Sequence, residues 1–100
     1  MTVARIYYMH AKQGRSAELE TGLRKLVDLV MDNLEGCRGV EVLRDLGNEH
    51  RFMFIERWDS EEAHQAGAAA FGKLNMGSVM EALDGPPDGS YFDALSARNP

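Results

Sequence analysis

The sequence predicts an α+β fold in which the elements follow the order β-α-β-β-α-β. Two observations lead to this order. Short stretches with alternating polarity, typical of half-buried strands, stand on both sides of a long stripe of apolar residues with helical spacing. A hairpin loop then joins two strands, and an Ala-rich helix precedes a short last strand. This is the ferredoxin-like arrangement, in which an antiparallel sheet carries both helical segments on one face.

The first half of the chain supplies a strand, a helix and a second strand. The stretch Val3–Met9 alternates and is rich in Val, Ile and Tyr, which predicts a strand. From Ser16 the period changes, and apolar residues at spacings of three and four predict an amphipathic helix that ends at Gly36. Gly22 lies beside this stripe, where a missing side chain would let the helix sit close to the sheet. The stretch Val40–Leu46 predicts the second strand.

The third strand and the start of the second helix give the strongest local signal. A hairpin loop at Gly47–His50 leads into Arg51–Trp58, which β-branched and aromatic residues dominate. A helix follows at once. Asp59 is its expected N-cap, and Glu62 stands three residues later, as in a capping box.

The remaining segments complete a single domain over residues 1–100. The second helix carries small residues on one side, and a helical pattern continues after a break near Gly72 or Gly77. The members of that continued pattern are Leu74, Met76, Val79, Met80 and Leu83. Gly85–Pro87 stops it, Ser90–Leu95 predicts the last strand, and residues 96–100 are expected to form a loose tail.

The two faces of the third strand differ in an informative way. Side chains alternate across a strand, so Phe52, Phe54, Glu56 and Trp58 share one face and Met53 lies on the other. A carboxylate on an apolar face costs free energy unless the face lines something polar, ligand-filled or wet. A pocket beside Glu56 is therefore expected.

The same residues predict a homodimer. The face with Phe52, Phe54 and Trp58 is expected to be the one that the helices leave uncovered, where a monomer would expose a large apolar patch. Two sheets closing face to face into a dimeric α+β barrel would bury this patch.

Composition and charge exclude several classes of function. The net charge of −5, without a basic stripe, argues against nucleic-acid binding. No stretch has the length of a membrane span or the apolar run of a signal peptide, so no membrane partner is expected. The lone Cys37 has no partner for an internal disulfide, which predicts a cytoplasmic protein.

The sequence predicts no metal and no cofactor. His10, His50 and His64 fall in three different elements without metal-ligand spacing, and His64, beside two glutamates, is expected to be solvated. The stretch Gly36–Gly39 does not match the glycine fingerprint of nucleotide-binding folds.

Three stretches of the chain resemble the antibiotic biosynthesis monooxygenase family of dimeric α+β barrel proteins. They are Glu35–Arg44, Phe52–Trp58 with its Glu-Arg-Trp, and Asp59–Ala63. The turn Lys12–Arg15 and the Leu-rich first helix are also similar to the family. The resemblance implies a small-molecule site, since members include cofactor-independent oxygenases of polyketide anthrones and quinols, haem-degrading proteins, and proteins of unknown substrate. Members often carry a histidine nine residues after the Trp, where this chain has Gly67.

The resemblance and the residue types together suggest a site for a small aromatic molecule. Glu56 is the expected base, Tyr7 or Arg5 would hold a phenolate, and Trp58 would stack on the rings. Further binding residues are expected at Phe54 and Phe71.

Alternative interpretations stay open. Glu56 could be a structural ion-pair partner of Arg5 or Arg44, and Trp58 could be core. A non-catalytic dimeric binding or stress-response module and a haem-binding or haem-degrading protein are the alternative functions.

Overall fold

A computed structural model describes residues 2–72 and 76–100 of the chain. Its elements are β1 (Val3–His10), α1 (Ser16–Asn33), β2 (Cys37–Asp45), β3 (Asn48–Trp58), α2 (Glu61–Phe71), α3 (Gly77–Ala82) and β4 (Asp88–Asp93). The predicted element order is confirmed, with the second helical segment divided into α2 and α3. Leu74, which the pattern assigned to the continued helix, lies outside the described residues.

The four strands form one antiparallel sheet in the order β2-β3-β1-β4. The central strand β1 pairs with β3, where Tyr7 lies opposite Phe54, and with β4, where Arg5 lies opposite Tyr91. The predicted α+β, ferredoxin-like fold is therefore confirmed. The strand β4 forms one edge of the sheet and, among the described strands, pairs with β1.

Several boundaries differ from the sequence-based expectation. The strand β3 begins at Asn48, so the hairpin is a tighter turn in which the Asp45 carboxylate accepts a hydrogen bond from the backbone N–H of Gly47 at 2.8 Å. The N-cap of α2 is Ser60, whose Oγ accepts from the N–H of Ala63 at 3.0 Å, and not Asp59. Asp59 instead accepts two hydrogen bonds from Arg38, at 2.7 and 2.9 Å.

The helices cover the face of the sheet that carries the large aromatic side chains. Phe52, Phe54 and Trp58 are 2%, 1% and 1% exposed and belong to the main hydrophobic core. The expectation that these three residues lie on the uncovered face was wrong. Alternation identifies the residues that share a face, but both faces of β3 are apolar, so the pattern alone does not tell which face packs against helices.

None of the described helices covers the opposite face of the sheet, and we call it the open face. Across it, Ile6 pairs with Ile55 and Tyr8 pairs with Met53. Leu43 and Phe92 belong to the same face and are 45% and 46% exposed. An uncovered apolar face therefore exists, but it is built from residues other than those expected.

Gly22 permits close packing between two helices. A Cβ atom at Gly22 would lie 2.9 Å from Cγ2 of Val79 in α3. The expected close approach is present, but its partner is α3 and not the sheet. In the part of the chain that the structure describes, no helix is long and apolar enough to cross a bilayer.

Candidate functional site

A cavity of about 160 Å³ lies between the sheet and the helices α1 and α2. Most of its lining is apolar and includes Phe54 and Phe71, two of the expected binding residues. Its polar groups come from Tyr7 on β1, Glu56 on β3 and His64 on α2. The cavity therefore combines apolar walls with one small cluster of groups that can exchange protons.

Glu56 is buried in this cluster at 7% exposure. Its Oε1 accepts a hydrogen bond from Nε1 of Trp58 at 3.0 Å and lies 3.7 Å from Nε2 of His64. No described residue forms a hydrogen bond with Oε2. Burial raises the pKa of Glu56, while the Trp58 hydrogen bond and the charge of Arg5 oppose this rise. Glu56 does not pair with Arg44, whose Nη1 instead lies 2.6 Å from Oε1 of Glu20.

His64 is buried at 6% exposure, so the expectation that it is solvated was wrong. Its Nε2 lies 2.8 Å from the hydroxyl oxygen of Tyr7, and its Nδ1 lies 2.7 Å from that of Tyr91. Burial, aided by the charge of Arg5, lowers the pKa of His64 to about 4. The imidazole is therefore neutral at pH 7, and its contact with Glu56 is not an ion pair there.

Sequence reasoning missed His64 and Tyr91 for different reasons. The neighbouring glutamates suggested that His64 faces water, yet His64, Gly67, Ala68 and Phe71 stand at spacings of three, four and seven, which is one helical stripe. That stripe could have indicated that His64 faces inward. Nothing in the local sequence around Tyr91 shows that the last strand brings it to α2.

Trp58 is fixed tightly beneath α2. It is 1% exposed, and its indole meets the His64 ring edge-on, with centroids 5.4 Å apart. A Cβ atom at Gly67 would lie only 2.7 Å from Cη2 of this indole. Trp58 thus closes position 67 to a larger side chain, and His64 lies one turn earlier on the same face of α2. The indole belongs to the core and also lines the cavity.

Arg5 lies beside the polar cluster and is not among the cavity-lining residues. Its guanidinium carbon stands 4.9 Å from the ring centroid of Tyr7 and 4.3 Å from that of Tyr91. Burial raises the pKa of Tyr7, and the nearby guanidinium of Arg5 partly offsets the rise. The Tyr7 hydroxyl therefore keeps its hydrogen at neutral pH and can act as a donor.

The cluster is suited to proton exchange with a hydroxyl-bearing ligand. A buried carboxylate, a neutral imidazole and a phenol hydroxyl can bind a hydroxyl group and accept or return its proton. Among residues 2–72 and 76–100, no group of three His, Cys, Asp or Glu side chains is arranged to hold a metal ion.

Comparison with known proteins places this site in a wider context. A family model described as antibiotic biosynthesis monooxygenase matches residues 2–68. The match includes Tyr7, Glu56, Trp58 and His64 and ends before Tyr91. No curated protein matches the sequence.

Solved structures share the fold over nearly the whole chain. A candidate antibiotic biosynthesis monooxygenase from Bordetella bronchiseptica has 22% identity and a TM-score of 0.83, with 95% of this chain and 98% of that chain covered. A second such candidate, from Caulobacter crescentus CB15, has 21% identity and a TM-score of 0.80, with 95% and 91% covered. A mutant of SnoaB, described as a cofactor-independent oxygenase from Streptomyces nogalater, has 16% identity and a TM-score of 0.79, with 96% and 95% covered. At these identities the likeness establishes the fold.

The packing of α2 on Trp58 predicts that Gly67→Ala destabilises the protein. Overpacking a core costs about 1–3 kcal/mol, and the better helix propensity of Ala returns about 1 kcal/mol at most. We expect the free energy of unfolding, measured by urea denaturation, to fall by about 1–2 kcal/mol. Gly77→Ala is the control because a Cβ atom there meets nothing within 4 Å. Equal stability of Gly67→Ala and the parent would contradict the packing described here.

The burial of His64 predicts a pH-dependent stability. Its pKa falls from an ordinary value of 6.5 to about 4 on folding. The unfolded chain thus binds more protons between these pH values, and the contribution of His64 is complete above pH 6.5 and is lost as the pH falls towards 4. At about 1.4 kcal/mol per pKa unit the loss is at most about 3.5 kcal/mol. Glu56 acts with the opposite sign, because a raised pKa means that its contribution is lost as the pH rises through that pKa.

Urea denaturation at pH 4 and pH 7 measures this effect. The difference in free energy of unfolding between the two pH values should be smaller in His64→Gln than in the parent. His10→Gln is the matched control, because His10 is exposed. The same pH difference in parent and His64→Gln would show that His64 does not lose its proton on folding.

Proposed function

The chain belongs to the antibiotic biosynthesis monooxygenase family, and from this premise we propose that it is a cofactor-independent monooxygenase that oxidises a polycyclic phenol, anthrone or quinol with molecular oxygen. The observation that carries the proposal is Glu56, a buried carboxylate at the cavity with a raised pKa and with Oε2 free of hydrogen bonds from the described residues. The fold shared with SnoaB, which is described as a cofactor-independent oxygenase, supports it.

The reaction needs a base and a dry site rather than a bound redox group. Oε2 of Glu56 accepts a proton from the substrate, and the resulting electron-rich ring carbon adds to O₂ with formation of a C–O bond. Glu56 then returns its proton to the peroxide. Loss of the remaining hydrogen from that carbon breaks the O–O bond, releases water and leaves a carbonyl group.

The residues around Glu56 favour the first step. Burial raises the pKa of Glu56 towards that of a phenol, which makes the carboxylate a stronger base than it is in water. The Tyr7 hydroxyl can donate to the developing oxyanion, a form of stabilisation that is strongest where water is excluded. Phe54 and Phe71 supply apolar surface for the rings.

The size of the cavity restricts the substrate. A cavity of about 150 Å³ holds one benzene ring, and the present cavity measures about 160 Å³. One ring of a phenol or quinol would therefore fill the cavity, which opens to the surface, and the further rings of a polycyclic substrate would lie towards that opening.

We also propose that two copies of the chain form a homodimer through the open face. Its apolar side chains, Ile6, Ile55 and Phe92 among them, come from neighbouring strands and have no helix above them. An apolar surface of this kind on a small protein commonly marks an interface. The support comes from these residues and no longer from Phe52, Phe54 and Trp58.

Sedimentation tests the homodimer. The parent at micromolar concentration should give about twice the chain mass of 11.1 kDa. Ile55→Glu should shift the protein towards the monomer, because it places a charge in the centre of the open face. Leu29→Glu, at a 37% exposed position on α1, is the control and should leave the mass unchanged. A monomeric parent would refute the interface.

Replacement of Glu56 tests the proposed reaction. Glu56→Gln is nearly isosteric and still accepts the Trp58 hydrogen bond, so we expect the fold to persist while oxygen uptake falls by about 10²–10⁴-fold. Substrates would be a panel of naphthoquinols and anthrones, with Tyr7→Phe measured in parallel.

The outcomes separate the alternatives. Unfolding of Glu56→Gln would assign Glu56 a structural role. Undiminished turnover of an accepted substrate by both variants would refute the site assignment. Tight binding of the panel by the parent without oxygen uptake would favour the binding module.

A further inference from the structure

We infer that Tyr91 is a positioning residue whose hydroxyl donates to Nδ1 of His64, keeps the imidazole N–H on Nε2, and so leaves the hydrogen of the Tyr7 hydroxyl free to meet the substrate oxygen. Its role in oxidation rests on the proposed function, whereas the order of the hydrogen bonds can be measured without a substrate.

The hydrogen bonds that link Tyr7, His64 and Tyr91 can run in only two orders, one for each neutral form of the imidazole. A neutral imidazole carries one N–H and one acceptor nitrogen. If Nε2 carries the hydrogen, it donates to Tyr7, 2.8 Å away, and Nδ1 accepts from Tyr91, 2.7 Å away. In the reverse order the Tyr7 hydroxyl donates its hydrogen to Nε2, and it has no hydrogen left to donate to a ligand.

The charge of Glu56 favours the first order. Oε1 of Glu56 lies 3.7 Å from Nε2, and a carboxylate there attracts an N–H and repels an imidazole lone pair. The charge of Glu56 therefore favours a hydrogen on Nε2 and an acceptor at Nδ1.

The sheet edge holds Tyr91 in place for this task. Tyr91 on β4 lies opposite Arg5 on β1, and the guanidinium stands 4.3 Å from its ring centroid. Gly89 makes room for that cation, because a Cβ atom there would lie 2.5 Å from Nη2 of Arg5. His64 also meets the Tyr91 ring edge-on, with centroids 5.3 Å apart. Three separate contacts therefore fix the phenol against His64.

The consequence is a donor aimed at the cavity before the substrate arrives. With Nε2–H directed at its oxygen, Tyr7 can offer its own hydrogen to a phenolate at the moment when Glu56 takes the proton. Donors fixed in advance stabilise a developing oxyanion without reorganisation. Tyr91 touches no reacting atom and acts only through His64 and Tyr7.

Nitrogen-15 NMR of His64 tests the order directly. At pH 7 the parent should show the hydrogen on Nε2, and Tyr91→Phe should distribute it between both nitrogens. Tyr8→Phe is the matched control, because Tyr8 lies on the open face. A parent that carries the hydrogen on Nδ1 overturns the inference, and this measurement needs no variant to fold.

Binding of 4-nitrophenol, whose phenolate is visible by absorbance, tests the consequence. Tyr91→Phe should bind the phenolate about tenfold more weakly, as should Tyr7→Phe. The double variant should be no weaker than Tyr7→Phe alone, because Tyr91 acts through Tyr7. Losses that add would overturn the inference. A parent that binds no nitrophenol at all would count against the proposed function, while the NMR result would still decide the hydrogen-bond order.

Discussion

The hydrogen bond from the Trp58 indole to Oε1 of Glu56 is the constraint on which the site depends. A carboxylate buried beneath a helix needs a donor, and the donor comes from the same face of the same strand, two residues further on. The indole then sets the distance at which α2 can lie, and Gly67 is the residue that permits the approach. This placement of α2 brings His64 against Glu56 and Tyr7. The packing of the core therefore also sets the geometry of the site.

The fold could be predicted from the sequence wherever the spacing of apolar residues within one segment determined the structure of that segment. The stripe in α1 buries Leu19, Leu23 and Leu26, and the alternation in β3 correctly grouped Phe54 with Trp58. The prediction failed for the packing of the helices on the sheet. Both faces of the central strands carry apolar residues, Ile55 on one and Phe54 on the other, so only the tertiary structure shows which face the helices cover. Interior packing of this kind is a property of pairs of elements and not of a single stretch of chain.

The candidate site could be predicted in part, because some of its residues stand out in the local sequence and others do not. Glu56 attracted attention because a carboxylate between aromatic residues violates the strand pattern, and such violations concentrate at functional positions. His64 obeys the helical spacing but was set aside because of its charged neighbours. Tyr91 carries no local signal, since its importance arises from a contact with a residue 27 positions earlier on another element.

The edge position of β4 has an evolutionary consequence. The family match ends at residue 68, so the last strand lies beyond the segment by which the chain is recognised. The strand β4 pairs with β1 alone among the described strands, yet its Tyr91 reaches His64 on α2. A relative with a phenylalanine in place of Tyr91 would lack this hydrogen bond to His64. Transfer of a mechanism between members of the family accordingly requires a comparison of their last strands.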